Sequence, residues 1–317
     1  MFEDGMGAYR LDDYATALKI WRPLAEQGDA VSQFSLGFMY AYGDGVKEDH
    51  SEAAKWFHKA AEQGHAASQY YLGLMCYYRG RGVQQNHAEA VKWTRKAAQQ
   101  GHAEAQANLG IMYANGDGVP QNFAEAENWY REAAEQQEAN AQNNLGVMYA
   151  NGDGVTENQS EAAKWFHKAA EQGDASGQNN LGVMYAEGRG VPQNSVEAVT
   201  WWLKAAEQGY VYAQTNLGSM YANGEGVPQD NAEAAKWYRE AAERGDAEAQ
   251  YNLSILYDEG QGVPVDHGEA LKWWHLAAAA GAEGTRTNRE TVATLIAPDQ
   301  FDEAQRLARE WLAKHQQ

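Results

Sequence analysis

Seven leucines, Leu36, Leu72, Leu109, Leu145, Leu181, Leu217 and Leu253, recur 36 residues apart, with a single step of 37. Each repeating unit can bury its apolar face only by stacking on the next copy, so a period of this size replaces a central globular core with a continuous strip. The chain therefore reads as a solenoid. The unit from Ala141 to Gly173 shows the local logic. Ala141, Leu145, Met148 and Tyr149 recur at helical spacing, with Gly146 where a second backbone must come close. The turn Asn151-Gly152-Asp153-Gly154-Val155 stops this first helix, because glycine enters left-handed geometry at little steric cost. Asn158 and Glu161 form a capping box that opens a second helix with the apolar stripe Ala162, Trp165, Phe166, Ala169 and Ala170, and Gly173 ends it.

Copies of G-x-G-V end at Val46, Val83, Val119, Val155, Val191, Val227 and Val263, and their glycines read as helix stops. Each leads to a cap: Asp49, Asn86, Asn122, Asn158, Asn194, Asp230 and Asp266. A glutamate follows each cap three residues on, from Glu52 to Glu269, so each box is expected to satisfy amides at its helix start, worth about 1 kcal/mol.

The repeated pattern A-x-x-x-L-G-x-M-Y, G-x-G-V, N-x-x-E-A-x-K-W-[YF], K-A-A-E-Q-G resembles the Sel-1-like repeat family, a relative of the tetratricopeptide repeat, from about Asp12 to Gly281. The resemblance implies an all-α, right-handed α/α superhelical solenoid that holds proteins together or binds peptides. It also implies a bacterial setting, with many members exported for envelope regulation, host contact or assembly. Exported relatives begin at about the position of Phe2, after their signal, which favours a periplasmic or secreted location over a cytoplasmic one.

The expected organisation is one solenoid with an amino-terminal cap over residues 1–28, seven helix-turn-helix repeats over 29–281 and a carboxy-terminal cap over 282–317. The first cap is a helix from Phe2 to Arg10 and a second from about Asp13, which buries Trp21, Leu24 and Ala25 and bends at Pro23. Past Gly281 the pattern predicts a helix over 285–297 and a final one after Pro298 with the stripe Phe301, Ala304, Leu307, Ala308, Trp311 and Leu312. Three departures stand out. The extra residue within Cys76-Tyr77-Tyr78-Arg79 is expected to lengthen or bulge the first helix of its repeat. Gln137 takes a turn position that is glycine in the other units, and Ser254 replaces a close-packing glycine, which predicts looser packing there.

The net charge of −19 weighs against nucleic acid, whose phosphates it would repel, and points to a neutral or basic protein or peptide partner. No apolar run is near the length that spans a bilayer, so membrane insertion is not expected. Cys76 is the single cysteine, and none of the nine histidines has metal-ligand spacing, so neither a metal nor a cofactor is expected. Nucleotide-loop and nucleophile-elbow motifs are missing. Cysteine-rich relatives described as having β-lactamase activity supply a rival envelope-enzyme reading, but the S-x-x-K arrangement and the cysteine pairs of those relatives are missing too. The expectation is a non-enzymatic, monomeric scaffold; an intracellular adaptor in quality control or signalling is a further alternative.

By the resemblance, first helices line the concave face. The residue before each repeat leucine is Ser35, Tyr71, Asn108, Asn144, Asn180, Asn216 and Asn252, and an asparagine ladder offers donors and acceptors to an extended peptide backbone. The alternative is that these amides bridge neighbouring repeats. One place earlier stand Phe34, Tyr70 and Tyr251, which with Tyr71 and Tyr212 add aromatic anchors at the two ends, unless they are core.

Overall fold

The computed structural model describes residues 2–78, 81–281, 294 and 296–315, and among them are seventeen α-helices and no strand. The helices fall into two compact units, Met1–Asn158 and Gln159–Gln317. The first holds α1 (Phe2–Arg10), α2 (Tyr14–Glu26), α3 (Ala30–Tyr42), α4 (His50–Glu62), α5 (Ala66–Tyr77), α6 (His87–Ala98), α7 (Ala103–Asn115), α8 (Phe123–Glu135) and α9 (Ala139–Asn151). The second holds α10 (Gln159–Glu171), α11 (Ala175–Glu187), α12 (Ser195–Glu207), α13 (Val211–Asn223), α14 (Asn231–Ala242), α15 (Ala247–Glu259), α16 (His267–Ala279) and α17 (Pro298–His315). The helix expected over 285–297 falls almost wholly outside the described residues.

Within each unit every helix packs mainly on its neighbours in sequence, the arrangement of an α/α solenoid. One stretch of core joins Ala53, Phe57 and Ala61 of α4 to Leu72 and Met75 of α5 and to Trp93 of α6. A corresponding stretch in the second unit joins Ala198, Trp202 and Ala206 of α12 to Leu217 and Met220 of α13. Fully burying a leucine is worth about 1.5–3 kcal/mol, and Leu36, Leu109, Leu145, Leu217 and Leu253 are all 0% exposed. The paired helices come this close because a β-carbon on Gly110 would meet the Tyr130 ring at 2.6 Å, and one on Gly218 the Tyr238 ring at 2.7 Å.

The two turn glycines have different jobs, which corrects their common reading as helix stops. The first, such as Gly116 with φ 80°, caps the first helix in left-handed geometry. The second presses on the start of the preceding repeat's second helix: a β-carbon on Gly190 would lie 2.1 Å from the Gln159 carbonyl oxygen. The capping box of α4 is also only half made. Asp49 accepts from the Glu52 amide at 3.0 Å, but the Glu52 carboxylate turns to Lys55 at 2.8 Å. The Asp49 amide meanwhile donates to the Tyr40 carbonyl at 2.9 Å, tying the cap to the first helix of its repeat.

The extra residue does not lengthen α5, which ends at Tyr77 with Tyr78 in extended geometry (φ −92°, ψ 145°). The Asn86 amide returns to the Cys76 carbonyl at 2.8 Å, as the Asn122 amide returns to the equivalent Tyr113 carbonyl at 2.9 Å, so the extra residue is taken up in the turn. Gln137 adopts φ 67° where its equivalents are glycine. Ser254 is fully buried and its hydroxyl donates to the Tyr251 carbonyl. The helix α2 continues through Pro23 to Glu26.

A buried glutamine ladder completes the packing. Gln33, Gln69, Gln106, Gln178, Gln214 and Gln250 each donate to an alanine carbonyl at the end of the preceding second helix, as Gln69 does to Ala61 at 3.0 Å. The side-chain carbonyls of Gln33, Gln69 and Gln106 accept from a glutamine at the end of the second helix of the same repeat: from Gln63 at 2.7 Å, Gln100 at 2.7 Å and Gln136 at 2.6 Å.

Candidate functional site

In α7, α9, α11 and α13 the leucine, glycine and methionine are buried against the partner helices, which leaves the asparagine before the leucine beside the core instead of inside it. Asn108, Asn144, Asn180, Asn216 and Asn252 are accordingly half-buried. Some of their amides reach an adjacent repeat: Asn108 donates to the Tyr70 hydroxyl at 3.3 Å and Asn216 to Asn179 Oδ1 at 3.3 Å. Asn180 Oδ1 accepts from Asn179 at 3.4 Å, and Asn144 donates to Asn140 Oδ1 at 3.0 Å within its own helix. An asparagine side chain can make up to four hydrogen bonds, so Asn108, Asn144 and Asn216, with one bond each, retain capacity for a ligand backbone.

The candidate aromatics divide. Phe34, Tyr70 and Tyr71 lie together, because the first helices α3 and α5 place them on one surface. Phe34 lies 5.8 Å from Tyr71 and 5.8 Å from Phe57, Tyr71 stacks on Phe57 at 5.4 Å, and Tyr70 meets Tyr71 edge-on at 5.5 Å. Phe38 and Tyr42 extend the group, with centroids 4.4 Å apart. Burial, aided by the Glu104 carboxylate, pushes the Tyr70 hydroxyl up to about 12, so it remains a protonated donor at physiological pH. In the second unit, Tyr212 stands 63% exposed beside Tyr210, whereas Tyr251 packs on the core around Leu271 and Trp274. The two aromatic ends are thus unlike.

Two histidines close the group. His65 Nδ1 accepts from the Ser68 amide at 3.3 Å and caps α5, while its ring lies 5.0 Å from Phe34. His102 Nδ1 accepts from the Ala105 amide at 3.4 Å and caps α7, with its ring 4.8 Å from Tyr70. Burial lowers the pKa of both; the charge of His102 lowers that of His65 further while Asp29 opposes it, and Glu104 opposes the shift at His102.

A cleft of about 170 Å³ opens beside the aromatics, walled by Tyr42, Phe57, Tyr71 and Tyr78 with His50 and Arg81 on its lining. Sequence reading passed over Tyr42, Tyr78 and Arg81. The available signal was that Tyr42 and Tyr78 stand where the later repeats carry Asn or Glu. Among the described residues no group of three or more His, Cys, Asp or Glu side chains could hold a metal ion, and no helix is long and apolar enough to cross a membrane.

The family model described as Sel1 repeat matches residues 30–65, 66–102, 103–138, 139–174, 175–210, 211–246 and 247–281. The chain is similar to the crystal structure of c5321, a protective antigen present in uropathogenic Escherichia coli strains displaying an SLR fold. Identity is 35%, covering 94% of this chain and 71% of that one, with a TM-score of 0.66. It is also similar to a Sel1 repeat protein from Oxalobacter formigenes, at 34% identity over 91% of this chain and 86% of that one, with a TM-score of 0.71. No curated protein matches the chain. The seven matched repeats and these two likenesses cover the paired helices, the glycine turns and the caps described above, and the chain belongs to the Sel1 repeat family.

Proposed function

We propose that the chain is a non-enzymatic, monomeric scaffold that binds an extended segment of a neutral or basic protein on the concave face carried by its first helices, without a cofactor. The observation that carries this reading is a half-buried asparagine at the same position of five first helices, together with Asn108 bonded to Tyr70 of the Phe34–Tyr70–Tyr71 group. The repeat leucines already hold the helices together, and Asn108, Asn144 and Asn216 make one hydrogen bond each, which leaves their amides capacity for a ligand. Asparagine amides match the alternating donors and acceptors of an extended backbone, and aromatic rings supply anchors of high buried area. The net charge of −19 favours a neutral or basic partner. That a relative is a protective antigen of Escherichia coli supports a location outside the cytoplasm.

Selection of a random peptide display library on the immobilised full chain tests the reading. It predicts enriched peptides that bind in solution and compete with one another for one face. Failure to enrich any binder would overturn it.

A further inference from the structure

The first two repeats depart from the rest at several places, and those places meet in one cleft. Six residues past the repeat leucine, the later repeats carry Asn115, Asn151, Glu187, Asn223 and Glu259, but the first two carry Tyr42 and Tyr78. Where five repeats place the asparagine of the ladder, the second places Tyr71. The middle of its glycine turn is Arg81, where the other turns carry Asp44, Asp117, Asp153, Arg189, Glu225 and Gln261, and the extra residue falls in the same turn. Tyr42, Tyr71, Tyr78 and Arg81 all line the 170 Å³ cleft, with Phe57 beneath. Other repeats fold with Asn or Glu in place of Tyr42 and Tyr78, and these two rings are 59% and 52% exposed, so the fold does not require them.

Arg81 has no ion-pair or hydrogen-bond partner among the described residues. The arginine at the same turn position in the fifth repeat, Arg189, is neutralised by Glu187 at 2.6 Å. Tyr78 stands where Glu187 stands, so the partner is missing at the second turn. His50, also on the lining of the cleft, has its Nε2 3.2 Å from the Glu48 carboxylate. The result is an aromatic-walled cleft with one unpaired guanidinium, on a chain whose net charge is −19.

We infer that this cleft seats an aromatic or branched aliphatic side chain of the partner segment, flanked by a glutamate or aspartate whose carboxylate Arg81 holds. The inference rests on the reading of the chain as a binder of extended peptides. A volume near 170 Å³ suits one such side chain, as a cavity of about 150 Å³ takes a benzene. Guanidinium pairs with a carboxylate through two parallel hydrogen bonds. The carboxylate is a side chain and not a chain end, because an extended segment continues past the cleft in both directions. The rest of that segment remains neutral or basic; the acidic residue is local to Arg81.

Fluorescence anisotropy with labelled ten-residue Gly/Ser peptides carrying a central Phe-Glu, Phe-Gln or Ser-Glu, and one ending in Phe with a free carboxylate, tests it on the full chain. Phe-Glu is expected to bind about tenfold tighter than Phe-Gln. Arg81→Gln should abolish that ratio, and Tyr42→Asn with Tyr78→Asn should weaken both peptides; these variants insert residues the other repeats already tolerate or alter an exposed turn. Equal binding of Phe-Glu and Phe-Gln, an unchanged ratio in Arg81→Gln, or preference for the free carboxy-terminal peptide would overturn the inference. Library-selected peptides that bind while Phe-Glu fails to bind or to displace them would sink the cleft alone and leave the scaffold reading standing. If neither they nor Phe-Glu bind, both readings fall.

Discussion

Gln208 donates its side-chain amide to Gln178 Oε1 at 2.8 Å, and also reaches the Gly173 carbonyl at 3.1 Å. This joins the end of one second helix to the buried glutamine of the first helix before it. Arg244 stands at the next such position, where its guanidinium takes the Gly209 carbonyl but leaves buried Gln214 Oε1 without a partner among the described residues. Gln250 Oε1 likewise has no partner among the described residues, since Ala280 stands at the corresponding place one repeat later. A buried acceptor left unmade costs more than an average hydrogen bond gains.

Arg244→Gln should restore the missing rung and raise unfolding free energy by about 1 kcal/mol. Urea denaturation followed by circular dichroism would read it. A lower midpoint for the variant would show that the Gly209 contact outweighs the ladder.

Gln137 holds φ 67°, a region glycine enters without the steric cost that a β-carbon brings. Gln137→Gly should therefore stabilise the chain by about 1 kcal/mol, seen as a higher thermal midpoint. A lower midpoint would mean that the turn has adapted to glutamine.

His65 and His102 cap their helices through Nδ1, which must be unprotonated to accept. Burial lowers both pKa values, so the folded chain binds fewer protons than the unfolded chain once pH falls below about 6.5. Their stabilisation is complete above that pH and is lost as pH falls through the folded values. Replacing both with asparagine, which caps without titrating, should flatten the fall in melting temperature between about pH 7 and pH 5, worth about 1 kcal/mol per cap. Superimposable profiles for the two proteins would contradict the assignment.

The helix α17 lays Ala308 on the core of α14 to α16, with Trp311 and Leu312 packed beside it, and Ala304 on Leu271 and Trp274. Deleting residues 298–317 should expose that apolar surface and promote association. Light scattering and a thermal melt would detect it. A monomer with an unchanged melt would show that the last repeat closes its own core.

The leucine period, the glycine turns and the cap residues were legible in the sequence because each is a local backbone requirement repeated at fixed spacing. The second turn glycine was misread because its role depends on the neighbouring repeat: a β-carbon on Gly190 meets Gln159, 31 residues earlier. The glutamine ladder was overlooked for the same reason, since a polar residue at helical spacing reads as a solvated face until Gln33 and Gln63 are brought together across 30 residues. At the candidate site, Phe34, Tyr70 and Tyr71 were visible as aromatic departures. Their grouping with Tyr42, and the cleft with Arg81, needed the stacking of α3, α4 and α5. The extra residue was seen but placed in the helix, because spacing alone cannot tell a longer helix from a longer turn.

The central claim is that the asparagine series contacts a ligand. A triple variant, Asn144→Ala, Asn180→Ala and Asn216→Ala, measured for both melting temperature and affinity toward library-selected peptides, tests it most directly. Each hydrogen bond lost to a ligand backbone costs about 0.5–1.5 kcal/mol, so affinity should fall about tenfold or more while the melt changes little. Full affinity in a stable variant, or a large loss of stability that accounts for any loss of binding, would contradict the claim and leave the asparagines as links between repeats.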